Sequence, residues 1–139
     1  MGIRFSSAVS QDDATVGNLV FADSPIGGSQ TEVRDNITDT VARAVNYVKN
    51  PSLRLGGMDF YPLPGKCQGM PLDLSLFSAN LDYDRDFNGN TKGTYIYRGA
   101  YAGEGANPGW QLSETLKVGG PSGNGNPTRP AAPTGLRIR

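Results

Sequence analysis

The stretches "ATVGNLVFA" (residues 14–22) and "TEVRDNIT" (residues 31–38) decide the fold of this chain. The first is a short apolar run with a glycine inside it and polar residues on both sides, which is typical of a buried strand. The second has Val33 and Ile37 as its apolar positions and predicts a strand or a turn followed by a strand. Both combine a short strand with a turn rich in Asn, Asp and Gly, so we interpret them as two rungs of one β structure.

The spacing of these features indicates how the rungs are arranged. Strands, asparagines and glycines recur at intervals of about twenty residues, the coil length of a β-solenoid, although no repeat is strong enough to align by eye. The chain has 139 residues with 19 glycines and 10 prolines. That length suits one domain, and the composition favours a loop-rich, mostly β protein.

The apolar period changes after the second rung. Apolar residues at helical spacing, with Pro51 following, predict one short amphipathic helix over residues 39–49. The apolar residues at that spacing are Ile37, Val41, Ala44, Val45 and Val48.

Later segments give further expectations. Residues 52–65 predict two short strands about the pair Gly56 and Gly57, and residues 71–77 predict a helical turn or a strand. The alternating aromatic segment "GTYIYRGAY" (residues 93–101) predicts a strand.

The C-terminal residues 114–139 are rich in Gly, Pro, Asn and Ser and offer little apolar surface to bury. We therefore divide the chain into residues 1–113, which carry the coils and a terminal cap, and a flexible, Gly/Pro-rich basic tail over residues 114–139. The basic residues after Glu114 are Lys117, Arg129, Arg137 and Arg139.

Three motifs in order resemble the end of a known family. "PSLRLGGMDFYPLPGKCQG" (residues 51–69), "DYDRDFNGN" (residues 82–90) and "YRGAYAGEG" (residues 97–105) are similar to segments that close secreted right-handed parallel β-helix proteins of the pectate-lyase-like kind. The resemblance covers residues 16–110. It implies a mostly β fold made of the last coils of a right-handed parallel β-helix, one short helix and a C-terminal capping segment.

The resemblance also has departures. Lys66 and Cys67 stand where that family has Ser-Pro, and Arg98 replaces the aspartate before Gly99. The upstream coils, in which pectate-lyase-like enzymes carry calcium-binding aspartates and a catalytic Lys or Arg, have no counterpart here. The resemblance therefore implies the C-terminal part of an extracellular or cell-surface parent protein, although this chain shows no signal peptide.

Composition excludes several kinds of chemistry. The chain has no histidine, which rules out Ser-His-Asp and Cys-His catalysis. Cys67 is its single cysteine, so no internal disulfide and no thiolate zinc cluster can form. The formal net charge is zero and no apolar run is long enough for a membrane span, so we expect neither nucleic-acid nor membrane binding.

The alternating polar residues Asp82, Asp84, Asp86 and Asn88 form a weak candidate site for calcium, the one cofactor considered. A calcium loop of the EF-hand type that starts at Asp82 needs Gly at its sixth position and an acidic residue at its twelfth. Phe87 and Gly93 stand there. We therefore favour a polar turn in which Asp and Asn side chains accept bonds from nearby backbone N–H groups.

Aromatic residues cluster in the last third of the 113-residue body. They suggest a carbohydrate-binding surface, because exposed aromatic rings stack on sugar rings, or equally a cap on the end of the hydrophobic core. In a strand, three of the tyrosines would share one face. The candidates are Tyr83, Tyr95, Tyr97, Tyr101 and Trp110.

The leading functional hypothesis is a non-catalytic structural end that closes a β-solenoid, with no catalytic residues. One alternative is an extracellular polysaccharide-binding module, and a second is a residual polysaccharide lyase or glycoside hydrolase. A coil without its upstream neighbour exposes apolar surface and strand edges, so we expect self-association through the N-terminal end that carries Leu19, Val20 and Phe21.

Overall fold

The computed structural model describes residues 2–5 and 13–113. Within these residues the chain forms eight short strands, two 3₁₀ helices and no α-helix. The strands are Ile3–Arg4 (β1), Ala14–Val16 (β2), Leu19–Phe21 (β3), Ile26–Gly27 (β4), Glu32–Arg34 (β5), Ile37–Asp39 (β6), Val48–Asn50 (β7) and Asp59–Pro62 (β8). The 3₁₀ helices are Val41–Asn46 and Ser75–Phe77. The predicted tail lies outside the described residues.

The first six strands form two sets of three that pair in parallel, and we call each set a coil. We define coil 1 as β1, β2 and β3, and coil 2 as β4, β5 and β6. Each strand of coil 1 pairs in parallel with its counterpart in coil 2: β1 with β4, β2 with β5 and β3 with β6. The mostly β class and the pairing of the two rungs are therefore confirmed, and the described residues form no closed solenoid.

The turn between the second and third strands is built alike in both coils. Gly17 and Asp35 adopt left-handed backbone conformations, with φ of 68° and 56°. Glycine does so freely, and aspartate is among the few other residues that tolerate it. Asn36 lies over Asn18, whose backbone N–H donates to Asn36 Oδ1 at 2.8 Å, and Asn36 Nδ2 donates to Thr15 O at 2.7 Å. The turns thus lock the two coils in register.

The predicted helix over residues 39–49 is wrong. Ile37–Asp39 is a strand, Val41–Asn46 is a 3₁₀ helix and Val48–Asn50 is a strand again. The apolar spacing does not mark one buried face, because Val41 and Val45 are more than half exposed. Sheet pairing at both ends uses the backbone groups that an α-helix would need.

The predictions for later segments had mixed outcomes. β7 and β8 form an antiparallel hairpin, so the strand after Gly57 is present but its partner lies earlier in the chain than predicted. Ser75–Phe77 is the helical turn that was one of two options. The strand predicted over residues 93–101 is wrong: Tyr97 makes one isolated bridge with Gln68, and Tyr95 has a φ of 55°, which breaks the alternation of faces.

The hairpin and the C-terminal segment cover the outer face of β3. Leu19 and Phe21 line a largely apolar cavity of about 280 Å³ together with Val48, Phe60 and Pro62, and residues 98–101 complete its wall. Phe21 also contacts the ring of Tyr47, with centroids 5.4 Å apart. The core therefore lies between the side of the coils and the C-terminal half of the chain.

Candidate functional site

Arg98 joins the C-terminal half to the coils. Its side chain is 5% exposed. Its Nη1 donates to Met70 O and Ile96 O, both at 2.8 Å, while Nε donates to Asp35 O at 3.2 Å. Nη2 pairs with the Asp35 carboxylate at 3.3 Å. One guanidinium thus binds the left-handed turn of coil 2 to two separate stretches of the C-terminal segment, and its planar set of five donors suits this task.

Close packing surrounds this arginine. A β-carbon at Gly69 would lie 2.5 Å from Arg98 Cζ, and one at Gly17 would lie 2.6 Å from Leu72 Cδ1. Gly99 N donates to Gly17 O at 2.7 Å. We call Arg98, its partners and these glycines the arginine clasp. It reaches coil 1 through Gly17 and coil 2 through Asp35.

Cys67 belongs to the same region but is unsuited to nucleophilic chemistry. It is fully buried, and its backbone oxygen accepts the Arg98 N–H at 2.8 Å. Burial raises the pKa of its thiol to about 11. The reactive thiolate is therefore scarce near neutral pH.

The calcium candidates lie in one turn, but their side chains do different things. The buried Asp86 carboxylate accepts backbone N–H bonds from Asn88 at 2.9 Å, Asn90 at 2.8 Å and Ala102 at 3.1 Å. Asp82 is exposed, and Asp84 pairs with a neighbouring arginine. Gly89 has a φ of 85°, as a tight turn requires. Asp86 therefore anchors a polar turn to the segment that ends at residue 102.

No metal-type cluster is found in the part of the chain that the structure describes. There, no three His, Cys, Asp or Glu residues come together in a way that could hold an ion. The same residues contain no helix of the length and apolarity that crossing a bilayer requires.

The aromatic candidates do not form one surface. Tyr101 is buried, with its ring centroid 5.0 Å from that of Tyr61 and 5.7 Å from that of Phe87. The ring centroid of Trp110 lies 5.9 Å from that of Phe87. Tyr101 and Trp110 therefore belong, with Tyr61 and Phe87, to one aromatic cluster that we call the core cluster.

Tyr83 and Tyr95 lie together in a separate groove, whereas Tyr97 bridges to Gln68 outside it. We call this the Tyr83–Tyr95 groove; its volume is about 260 Å³. Burial and the neighbouring Tyr83 raise the pKa of Tyr95, and hydrogen bonds from Ser75 lower the pKa of Asp73, which stays ionised. The groove is lined by Leu72, Asp73, Leu74, Ser75, Tyr83 and Tyr95.

Among the described residues, coil 2 has an open end. A shallow cleft of about 390 Å³ is lined by residues of all three of its strands or their flanks. Val33 is 51% exposed, while its partner Thr15 in coil 1 is 2% exposed. Thr38 is exposed, while its partner Val20 is 8% exposed. The cleft is lined by Pro25, Ile26, Val33, Arg34, Asp35, Asn36 and Thr38.

The N-terminal apolar segment differs from its expectation. Val20 is buried, and Leu19 and Phe21 are only partly exposed. Val33 of coil 2 is more exposed than these residues, and the sequence analysis did not single it out. A usable sign was present: Val33 occupies in the second rung the place that Thr15 has in the first.

The comparisons with known proteins give no relative: no protein-family model, no curated protein and no solved structure matches the chain.

Proposed function

We propose that this chain is a non-catalytic structural end of a protein of the parallel β-helix type, in which the C-terminal segment closes the side of the last coils. The arginine clasp carries this proposal. A buried guanidinium that makes four bonds to coil and cap is costly to desolvate, and it is retained where it fixes one arrangement of the chain. The proposal includes an extracellular or cell-surface location of the parent protein.

The closure is lateral. Gly99 and Arg98 lie against the turns of coil 1 and coil 2, and residues 98–101 face the outer side of β3. The open cleft of coil 2 is not covered by this segment. The geometry thus supports a role in holding the two coils together from the side, rather than in covering the open end of coil 2.

Two independent probes test the clasp. Trp110, the single tryptophan, reports on the C-terminal segment, while far-ultraviolet circular dichroism reports mainly on the strands. We expect both signals to change together during urea unfolding of the wild type, because the clasp couples the two halves. In Arg98→Ala the tryptophan transition should move to lower urea than the strand transition.

Arg54→Ala is the matched control, because Arg54 is exposed and lies in the β7–β8 connection. It should leave the two transitions coincident. If Arg98→Ala also leaves them coincident at the wild-type midpoint, the clasp does not couple the halves and the structural proposal fails.

A second candidate function is binding of a neutral saccharide in the Tyr83–Tyr95 groove. Two tyrosine rings offer apolar faces with hydroxyl groups, and the ionised Asp73 can accept bonds from sugar hydroxyls. The lining residues include a carboxylate and no cation, and the adjacent Arg34, which donates to Asp73 O, is already paired with Glu32 and Asp35. This arrangement disfavours a uronate polymer. Tyr95 holds a left-handed conformation that is strained for a tyrosine, and such strain is concentrated at functional positions.

Titration with cellohexaose and with oligogalacturonate, followed by NMR chemical shifts, tests this candidate. We expect the neutral oligosaccharide to shift the groove resonances, and Tyr83→Ala to weaken binding by up to about tenfold, the value of a lost stacking contact. Tyr97→Ala is the control outside the groove and should leave affinity unchanged. Absence of binding, or equal loss in both variants, would remove the saccharide candidate and leave the clasp proposal untouched.

A further inference from the structure

One residue of β5 directs its backbone hydrogen-bonding groups away from coil 1. Glu32 N donates to Asp13 O at 3.3 Å, and Arg34 O accepts from Gly17 N at 3.2 Å, so both of these residues bond toward β2. Successive residues of a strand direct their N–H and C=O groups to opposite sides. The N–H and C=O of Val33 therefore point to the outer edge, and β5 pairs with β2 alone in the described chain.

The side chains around this edge are self-complementary. β5 reads Glu32, Val33, Arg34, with the apolar side chain on one face and the two charged side chains on the other. Within one copy Arg34 pairs with Glu32 and with Asp35, and its Nη2 donates to Asp73 O at 2.5 Å. If two copies of this strand met antiparallel with Val33 opposite Val33, Glu32 of each would lie opposite Arg34 of the other. Opposite charges in such cross-strand positions stabilise the pair. The contact would exchange the Glu32–Arg34 ion pair within each copy for one between the copies, so the charges fix the register of the two strands.

The hydrogen-bonding requirement is met by the same arrangement. In an antiparallel pair, residues in a hydrogen-bonded position exchange both of their N–H···O bonds. Val33 is the residue whose groups face outward, so a Val33–Val33 pair would satisfy both edges at once. A two-fold axis through this pair is the symmetry of the commonest homodimers.

From this complementarity we propose that a second copy of the chain docks on the open end of coil 2, through antiparallel pairing of β5 with β5 about Val33. The contact brings the two open clefts together and covers the exposed Val33 side chains. It differs from the contact through the N-terminal end expected from the sequence, where Val20 is buried and Leu19 and Phe21 are only partly exposed. The charges specify the partner: its strand must run antiparallel to β5 and carry a Glu and an Arg on either side of an apolar residue, as β5 itself does.

Sedimentation velocity over a dilution series is the first test, with wild type expected to pass from monomer to dimer as concentration rises. Val33→Pro removes the outward N–H donor without removing a bond to β2, and should keep the chain monomeric. Val45→Thr, at another exposed valine, should dimerise like the wild type.

Charge reversal supplies the decisive variants. Glu32→Arg leaves arginine at positions 32 and 34 of both copies, which gives Arg against Arg in each cross-strand pair and should abolish the dimer. Arg34→Glu gives Glu against Glu and should do the same. An equimolar mixture of the two variants restores opposite charges on both sides and should recover a heterodimer. Circular dichroism and Trp110 fluorescence of each variant establish that it folds.

Each outcome decides the proposal. Monomers at every wild-type concentration would overturn it. So would a dimer that persists in both charge variants, because that dimer would use another surface. Failure of the mixture to associate, with both variants folded, would also overturn the β5 register.

Discussion

Coil 1 and coil 2 have the same backbone plan but opposite burial. Both place a left-handed residue and an asparagine between their second and third strands, and their strands pair residue for residue. Yet the polar Thr15 of coil 1 is buried, and the apolar Val33 paired with it is half exposed. The difference teaches that burial in a stacked coil depends on its neighbours, and not on the coil's own alternation of polar and apolar residues.

The buried polar residue has a partner that explains its tolerance. Thr15 Oγ1 donates to Gln30 Oε1, so its hydroxyl group is bonded inside coil 1. Val33 has no corresponding cover, because coil 2 ends the described stack. Predictions that change one coil and its counterpart in the same way therefore test whether position in the stack decides the energetic effect.

The largest effect is expected at the clasp on the coil 2 turn. Arg98→Ala leaves Asp35 and several carbonyl groups without their donor, and should lower the free energy of unfolding by about 3 kcal/mol. Asp35→Asn should lower the free energy of unfolding by less, because asparagine also tolerates the left-handed turn. Urea unfolding of both variants and of the double variant measures their coupling. Fully additive losses would show that the ion pair does not connect them.

A matched pair of valine truncations follows in size. Val20→Ala removes two methyl groups from a buried position of coil 1 and should cost about 2 kcal/mol. Val33→Ala removes the same groups from the open end of coil 2 and should cost at most about 0.5 kcal/mol in the dilute monomer. Thermal or urea unfolding measures both. Equal losses would mean that coil 2 is covered in solution and would break the comparison.

The smallest effect concerns the asparagine stack between the coils. Asn36→Ala removes the acceptor for Asn18 N and the donor to Thr15 O, and should cost about 1 kcal/mol. Asn18→Ala removes a bond to Val16 O and a longer one to Asn36, and should cost less. Urea unfolding measures the two losses in stability, and their ranking sharpens the comparison. A larger loss for Asn18→Ala would mean that the side chain of coil 1 contributes more than that of coil 2.

The sequence predicted what has a local cause and missed what depends on distant partners. The rungs at residues 14–22 and 31–38 were recognisable because Gly17 and Asp35 set turns through their own conformational preferences. The helix over residues 39–49 was predicted wrongly, because pairing of Ile37 with Leu19 and of Val48 with Pro62 overrides the helical spacing.

The candidate site shows the same division. The turn around Asp86 was predicted from its residues alone, since its acceptors and donors are mostly near neighbours. Arg98 was noticed only as a departure from a motif, because Asp35 and Met70 are far from it in sequence. The split of the aromatic residues into a core cluster and a groove depends on the left-handed Tyr95, which no alternation pattern predicts.

Hydrogen exchange of backbone amides, resolved by NMR on the dilute protein, tests the central claim of two parallel coils with an open edge on coil 2. Ile37 N donates to Asn18 O at 2.8 Å and Ala22 N donates to Asp39 O at 2.9 Å, so both amides between the coils should be protected. The Val33 amide points to the open edge and should exchange rapidly, becoming protected only as concentration rises. Protection of Val33 equal to that of Ile37 at high dilution, or rapid exchange at Ile37 and Ala22, would contradict the account.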